Sequence, residues 1–295
     1  MKKLSLITLT VISATVLIFS CKKDRIETPE PEQLTAYEPI NTYLDSKKQP
    51  EQDFLITGQT NDTIIGNQGT KIYGAKNCLR DGNNDTVAYP FNVKLVELYT
   101  AKDMIYWQMP TMGSGNALNS DGEIRVRALK NNVELTLAAS CPFAVEMPNG
   151  SPVSTRNIFN GNDNGTFVDW INSGTPFSTT SYGYKGFINS LGWISCAEQV
   201  ASGGHTVSFT STTDDLTNVG IFIYISATKT LVQGYSQTAS GIPNGSSVKI
   251  VLMAQDNNGD LFSYTDSRTI SSNTSIDISL SSITDAALTT HLNGL

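Results

Sequence analysis

Two histidines and four cysteines limit the chemistry open to this chain. A cysteine nucleophile needs a base that draws off its proton. Only His205 and His291 are present, and His205 follows Cys196 closely enough for the two to lie on neighbouring strands. That pair defines one reading, a hydrolase with Cys196 as nucleophile and His205 as base. The simpler reading is a buried thiol beside a surface imidazole. No Gly-x-Ser-x-Gly elbow and no His-Glu-x-x-His helix occurs. Two histidines exclude a histidine-rich metal centre. Calcium fits the composition better, because Asn160, Asn162 and Asn164, with Asp163 between them and Gly165 after them, supply the spaced oxygen ligands of half a calcium loop. No bidentate acid follows at the required distance, so a polar turn competes with that reading. A structural calcium there is the one cofactor the sequence suggests. Asp256, Asn258 and Asp260, and Asp81, Asn83 and Asp85, read as polar turns. Aromatic faces can hold a glycan or a peptide, and Tyr106, Trp107 and Trp193 are the candidates. Tyr106 and Trp107 are adjacent, so on a strand one faces the core and the other the solvent.

The elements that must carry these residues are strands. Phe91, Val93 and Leu95 alternate with Asn92 and Lys94. Ile124, Val126 and Ala128 alternate with Arg125 and Arg127. Val133, Leu135 and Leu137, then Phe143, Val145 and Met147, follow the same period of two, which marks half-buried antiparallel strands. Asn131-Asn132 suits a tight hairpin turn, since asparagine tolerates positive φ. Residues 219–225 are almost continuously apolar, as a central sandwich strand requires. Further strands are expected near 184–188, 193–197, 206–210, 231–236, 248–254, 260–264 and 274–280. Gly259 and Gly245 mark turns. The one helix expected lies at the C-terminus, with Thr284 or Ser282 as cap, Asp285 in its first turn, and Leu288, Leu292 and Leu295 on one face. The fold class is therefore all-β, with two antiparallel β-sandwich domains, 53–149 and 182–295, and one short C-terminal helix. Residues 150–181, rich in Ser, Thr, Asn and Gly, read as a connector.

Ahead of these modules lies a different kind of segment. Lys2 and Lys3 precede an apolar run from Leu4 to Phe19 that is diluted by Ser5, Thr8, Thr10, Ser13 and Thr15. A transmembrane helix needs about 20 apolar residues, so a secretion signal over 1–20 is the better fit. Ile18, Ser20 and Cys21 resemble a bacterial lipobox, with Phe19 larger than the general pattern prefers. Cys21 is the expected lipidation site, bearing palmitate-like acyl chains. Each buried methylene adds roughly 0.8 kcal/mol, so several chains hold a protein stably on a membrane where one does not. The absence of an Asp directly after Cys21 points to the outer membrane, with the chain periplasmic or surface-exposed. Residues 21–52, with Pro29, Pro31, Pro39 and Pro50, read as a flexible tether in which Tyr37, Tyr43 and Leu44 can dock locally.

Charge narrows the partners. The formal net charge is -7, and loss of Lys2 and Lys3 with the signal makes the mature chain more acidic still. No basic cluster follows Lys22-Lys23, so nucleic acid is not an expected partner. A protein or glycan partner remains, with the membrane held through Cys21. Cys78 and Cys141 fall in one segment and can pair, leaving Cys196 over. Such a loop would contribute about 4 kcal/mol in the chain-entropy account, but buried free thiols are equally compatible with the sequence.

The order Asp62-Thr63-Ile64-Ile65, Gly69-Thr70-Lys71-Ile72, Val93 to Leu98, Lys102 to Ile105, Asn119 to Ile124 and Val133 to Leu137 resembles the ZU-type β-sandwich module of ankyrins and netrin receptors. The likeness is to the divergent form found in lipoproteins of Bacteroidota, and it covers about a third of the chain. The second sandwich resembles transthyretin-like or immunoglobulin-like domains. These resemblances imply an interaction role and transfer no binding residues. Taken together, the sequence predicts a membrane-anchored, non-catalytic lipoprotein of the bacterial cell envelope that binds a partner. The alternatives are the Cys196/His205 hydrolase and a structural subunit of an outer-membrane or adhesive assembly.

Overall fold

A computed structural model describes residues 34–58, 63–74, 76–163, 168–200 and 203–295. The signal segment, Cys21 and Asn164 lie outside the described residues. The chain is all-β, and two β-sandwiches follow one another along it.

The first sandwich packs two sheets. Sheet I has the order Gln52–Ile56, Phe91–Leu98, Asn116–Lys130, Gly192–Gln199, Asn157–Asp163, Val168–Pro176, every pair antiparallel. Sheet II has the order Ser178–Thr179, Gly183–Ile188, Phe143–Pro148, Lys71–Tyr73, Thr63–Ile65. The alternation seen in the sequence becomes the wall of the core: Phe91, Val93, Leu95, Ile124, Val126, Val145 and Met147 are buried between the sheets. Each contributes roughly 1.5–3 kcal/mol by leaving water. Asn131 and Asn132 both have positive φ, 51° and 62°, which makes the tight turn after Lys130. Val133, expected to face inward, is 57 % exposed, because the strand breaks into Val133–Glu134 and Thr136–Leu137, while Leu135 is buried in the core and Leu137 packs against it. Cys78 and Cys141 form a disulfide across this core, with Cα atoms 5.2 Å apart.

The domain boundaries differ from those expected. Residues 150–181 are not a connector. Asn157–Asp163 lies between Gly192–Gln199 and Val168–Pro176 in sheet I, and Ile158 and Phe177 are core. Residues 183–199 also belong to the first sandwich, not the second. The Asn- and Gly-rich composition that reads as loop has a packing cause. A Cβ on Gly161 would come within 2.6 Å of Trp193 Cβ and 2.7 Å of Val168 Cγ1, so the strand can pass there only without a side chain.

The second sandwich runs from His205 to Ile283. Sheet III is Thr238–Ile242, His205–Thr210, Thr274–Asp277, and its second pair is parallel. Sheet IV is Thr230–Gly234, Gly220–Ile225, Ser246–Gln255, Leu261–Ile270, Ser281–Ile283. The continuous apolar run forms its second strand, with Ile221, Ile223 and Ile225 facing sheet III and Phe222 and Tyr224 facing the other way. Gly259 and Gly245 take positive φ at their turns as expected.

Three helices fill the junction. α1 (Asn41–Lys47) and α2 (Ala101–Trp107) were not expected, and α3 (Asp285–Asn293) was. Thr100 caps α2 by accepting from Asp103 N, and Thr284 caps α3 by accepting from Ala287 N. Leu44, Ile105, Leu288 and Leu292 pack with Leu98, Trp170 and Trp193 of sheet I and with Phe222 and Met253 of sheet IV. The two sandwiches thus share a third apolar core, and residues 35–295 form one compact unit. The expected tether shortens accordingly. Thr35 pairs with Asp214, and the Tyr37 hydroxyl donates to Asp214 Oδ1 at 2.6 Å, so the segment from Thr35 onward is strapped to the second sandwich. Among the described residues no helix is long and apolar enough to cross a membrane.

Candidate functional site

The junction core opens at one side into a cleft of about 340 Å³. Its position follows from local structure. α2 ends at Gln108, which takes the left-handed conformation (φ 53°) and leaves Trp107 on the last helical turn. Trp193 is the second residue of the strand Gly192–Gln199 and stands opposite Arg125 in register. The two indoles meet edge to face, centroids 5.6 Å apart and planes at 76°, an arrangement that the ring quadrupoles favour. The Arg125 guanidinium lies 5.5 Å from the Trp193 centroid, and Lys48 Nζ lies 5.2 Å from that of Trp107. Asn41, Asp45 and Gln108 add polar groups to the lining.

The cations differ in how they are engaged. Lys48 is paired with Asp45 at 2.7 Å. Arg127, on the same face of the same strand, is held by Glu51 and Glu134. Among the described residues Arg125 has one acid within reach, Glu51 at 3.9 Å, and its donors make no hydrogen bond. The Trp107 Nε1 donor is buried and unpaired among the same residues. Arg125 also lines a second cleft, of about 450 Å³, with Arg127, Thr136, Leu137, Asn189 and Leu191. The pair of clefts therefore meets at this one side chain.

Of the three aromatic candidates, the structure brings together Trp107 and Trp193 and removes Tyr106. Residues 106 and 107 lie on a helix, where neighbours diverge by about 100° rather than alternating. Tyr106 is 5 % exposed, and its hydroxyl lies 3.3 Å from Thr289 Oγ1 inside the junction core. Trp170 is also core, donating to Pro110 O at 2.8 Å.

The calcium candidates separate differently. Asn160 and Asn162 belong to a strand paired on one side along its length, not to a loop. Their side chains share one face of that strand, while Asn164 and Gly165, the rest of the expected ligand run, lie outside the described residues. Asp256 Oδ1 accepts from the Asn258 and Asp260 amides, and Asp81 Oδ1 from those of Asn83 and Asp85, so these acids close their own turns. Among the described residues no group of three or more His, Cys, Asp or Glu is placed to hold a metal.

Cys196 and His205 are not brought together. Cys196 is 0 % exposed in the first sandwich's core, and burial pushes its thiol far up, which disfavours a thiolate. His205 begins a strand of the second sandwich, with Nε2 3.1 Å from Asn244 Oδ1.

Two features carry no signal in the sequence. Arg156 is nearly buried, with Nε 2.6 Å from Asp121 Oδ2 and Nη1 2.6 Å from Glu198 Oε1. Asp121 also accepts from the Tyr184 hydroxyl at 2.7 Å and pairs with Lys229 of the second sandwich at 3.1 Å. Burial opposes ionisation of Asp121, but these donors outweigh it and hold the carboxyl below its ordinary value. Glu123 is the opposite case. It is fully buried, neither carboxyl oxygen has a hydrogen-bond partner among the described residues, and burial raises it well above the usual carboxylate range.

No protein family, curated protein or solved structure matches this chain.

Proposed function

We propose that this chain is a lipid-anchored protein of the bacterial outer membrane that binds a ligand in the Trp107–Trp193 cleft without transforming it. The observation that carries the binding reading is the cleft at the paired indoles, where a half-buried Trp107 packs on Trp193 and Lys48, Arg125, Asp45 and Asp163 line the opening. The volume falls within the roughly 300–1,000 Å³ of ordinary ligand sites. The anchor rests on Ile18, Ser20 and Cys21 and on the apolar run before them. The likeness of the first strands to a ZU-type module supports an interaction role for the sandwich.

Two experiments test the two parts. Metabolic labelling with an alkyne fatty acid should mark the natural chain, while Cys21→Ser should lose both the label and membrane fractionation without losing its folded-state melting transition. Full membrane retention of the unlabelled variant would contradict the anchor. For the cleft, Trp107→Ala should abolish binding of envelope glycan or protein fractions that the natural chain retains. Unchanged binding would contradict it.

A further inference from the structure

We infer that the cleft takes an acidic oligosaccharide, with the Arg125 guanidinium holding a ring carboxylate and the half-buried Trp107, backed by Trp193, packing against a sugar ring. This rests on the reading of the cleft as a binding site and assigns its ligand class.

A guanidinium presents five donors in a planar fork that matches a carboxylate bidentately. Contact with the Trp193 ring and the approach of Glu51 restrict the Arg125 side chain before any ligand arrives, which lowers the ordering cost of binding. Arg127 shows what a structurally committed arginine looks like on this face, since Glu51 and Glu134 occupy its fork. Arg125 lies 5.5 Å from the Trp193 centroid and has only the 3.9 Å approach of Glu51, with no hydrogen bond among the described residues. Its side chain is 32 % exposed, so a ligand can reach it.

The rest of the lining decides between a sugar and a peptide. An extended peptide is most readily bound by adding a strand to a free sheet edge and filling apolar pockets with alternate side chains. Trp193 and Arg125 lie on interior strands of sheet I, each paired on both sides, so no backbone ladder is on offer there. The cleft walls carry side-chain amides, an ammonium and carboxylates around the two indoles, with Asn41, Gln108 and Lys48 providing donors and Asp45 and Asp163 providing acceptors for ring hydroxyls. Ring hydroxyls both donate and accept, and the apolar face of a sugar ring packs on an aromatic surface. Because Arg125 borders both clefts, a chain of several units crossing from one to the other would place an acidic unit at their meeting point.

The test uses the detergent-solubilised full chain and calorimetric titration with tetramers of galacturonate and of hyaluronan, each alongside its methyl-esterified form. At least one acid form should bind, and esterification should weaken it by about tenfold or more, the loss expected when a charge-assisted bidentate pair is removed. Arg125→Gln should produce the same loss for the acid and none for the ester, and Arg125→Lys, which keeps the charge but not the fork, should fall between. Equal affinity for acid and ester would overturn the acidic class while leaving the cleft as a sugar site, provided Trp107→Ala still abolished binding. Binding untouched by Trp107→Ala would overturn both the inference and the site. Binding of poly-glutamate through Arg125 with no binding of either tetramer would overturn it in favour of an acidic peptide. The absence of binding by every probe would overturn it outright.

Discussion

Glu123 shows how far a single residue can depart from the economy of a β-core. Its carboxyl is buried beside Leu98 and Ser195 with no hydrogen-bond partner among the described residues. An ionised carboxylate in such a place is far costlier than a protonated one. The folded chain therefore keeps this proton to a higher pH than the unfolded chain, whose glutamate titrates near its ordinary value of about 4.3. The unfolded state gains stability from ionisation above that pH, so the fold loses stability as pH rises through and beyond it. Glu123→Gln has nothing to ionise and should lack that decline. Denaturant titrations from pH 4 to 8 should show the variant gaining on the natural chain as pH rises, and parallel curves would contradict the assignment. Arg125 is the partly exposed counterpart, a charged side chain with no partner closer than Glu51 at 3.9 Å among the described residues, placed where solvent can reach it.

At the scale of elements, two tie-points hold the periphery. The Cys78–Cys141 bond joins residues 63 apart and fixes the short strands Leu79–Arg80 and Thr136–Leu137 beside one another. Closing a loop of that size is worth about 4 kcal/mol in the unfolded-chain account, so Cys78→Ala/Cys141→Ala should lower the unfolding free energy by roughly that amount in urea titrations. The second tie-point is Asp214, which accepts from Tyr37, Thr213, Ser211 and the Leu280 amide. Tyr37→Phe removes the hydroxyl that binds the strap to it. Amide exchange at Thr35 and Glu38 should quicken, with the sheet IV amides unchanged. The strands of both cores were legible in the sequence, because a period of two at Phe91 to Leu95 or Ile124 to Ala128 has no other cheap solution. The C-terminal helix was legible from its cap and leucine stripe. α2 was not, because seven residues are too few for a helical period to show, although Thr100 and Asp103 carry its N-terminal cap. The strands at 157–163 and 168–176 were hidden by their Asn and Gly content, which close packing on Trp193 and solvent exposure of residues 171–174 explain. Trp107 and Trp193 could be named from sequence but not placed together, since their meeting depends on that unseen helix. Arg125 read as one more solvent-face residue in an alternating strand.

For the whole molecule, the two sandwiches are joined by the shared apolar core and by the ion network around Asp121. Lys229 of the second sandwich reaches the same carboxylate that Arg156 and Tyr184 hold in the first. A carboxyl held below its ordinary value stabilises the fold above about pH 3.9 and loses that contribution as pH falls through its folded value. Melting temperature should therefore drop steeply in this acid range. Arg156→Met leaves a nearly buried carboxylate with fewer donors, and should cost about 3 kcal/mol at neutral pH while flattening the acid drop. The same junction core shapes the cleft, so the binding proposed there would be a property of the assembled pair of sandwiches rather than of either alone. The three tryptophans make this directly measurable, because each indole N–H gives its own nuclear magnetic resonance signal. Titrating the labelled full chain with solubilised envelope polysaccharide should move the Trp107 and Trp193 indole signals and leave Trp170, whose donor is held by Pro110 O. Binding that left Trp107 and Trp193 unmoved would contradict the assignment of this cleft as the ligand site.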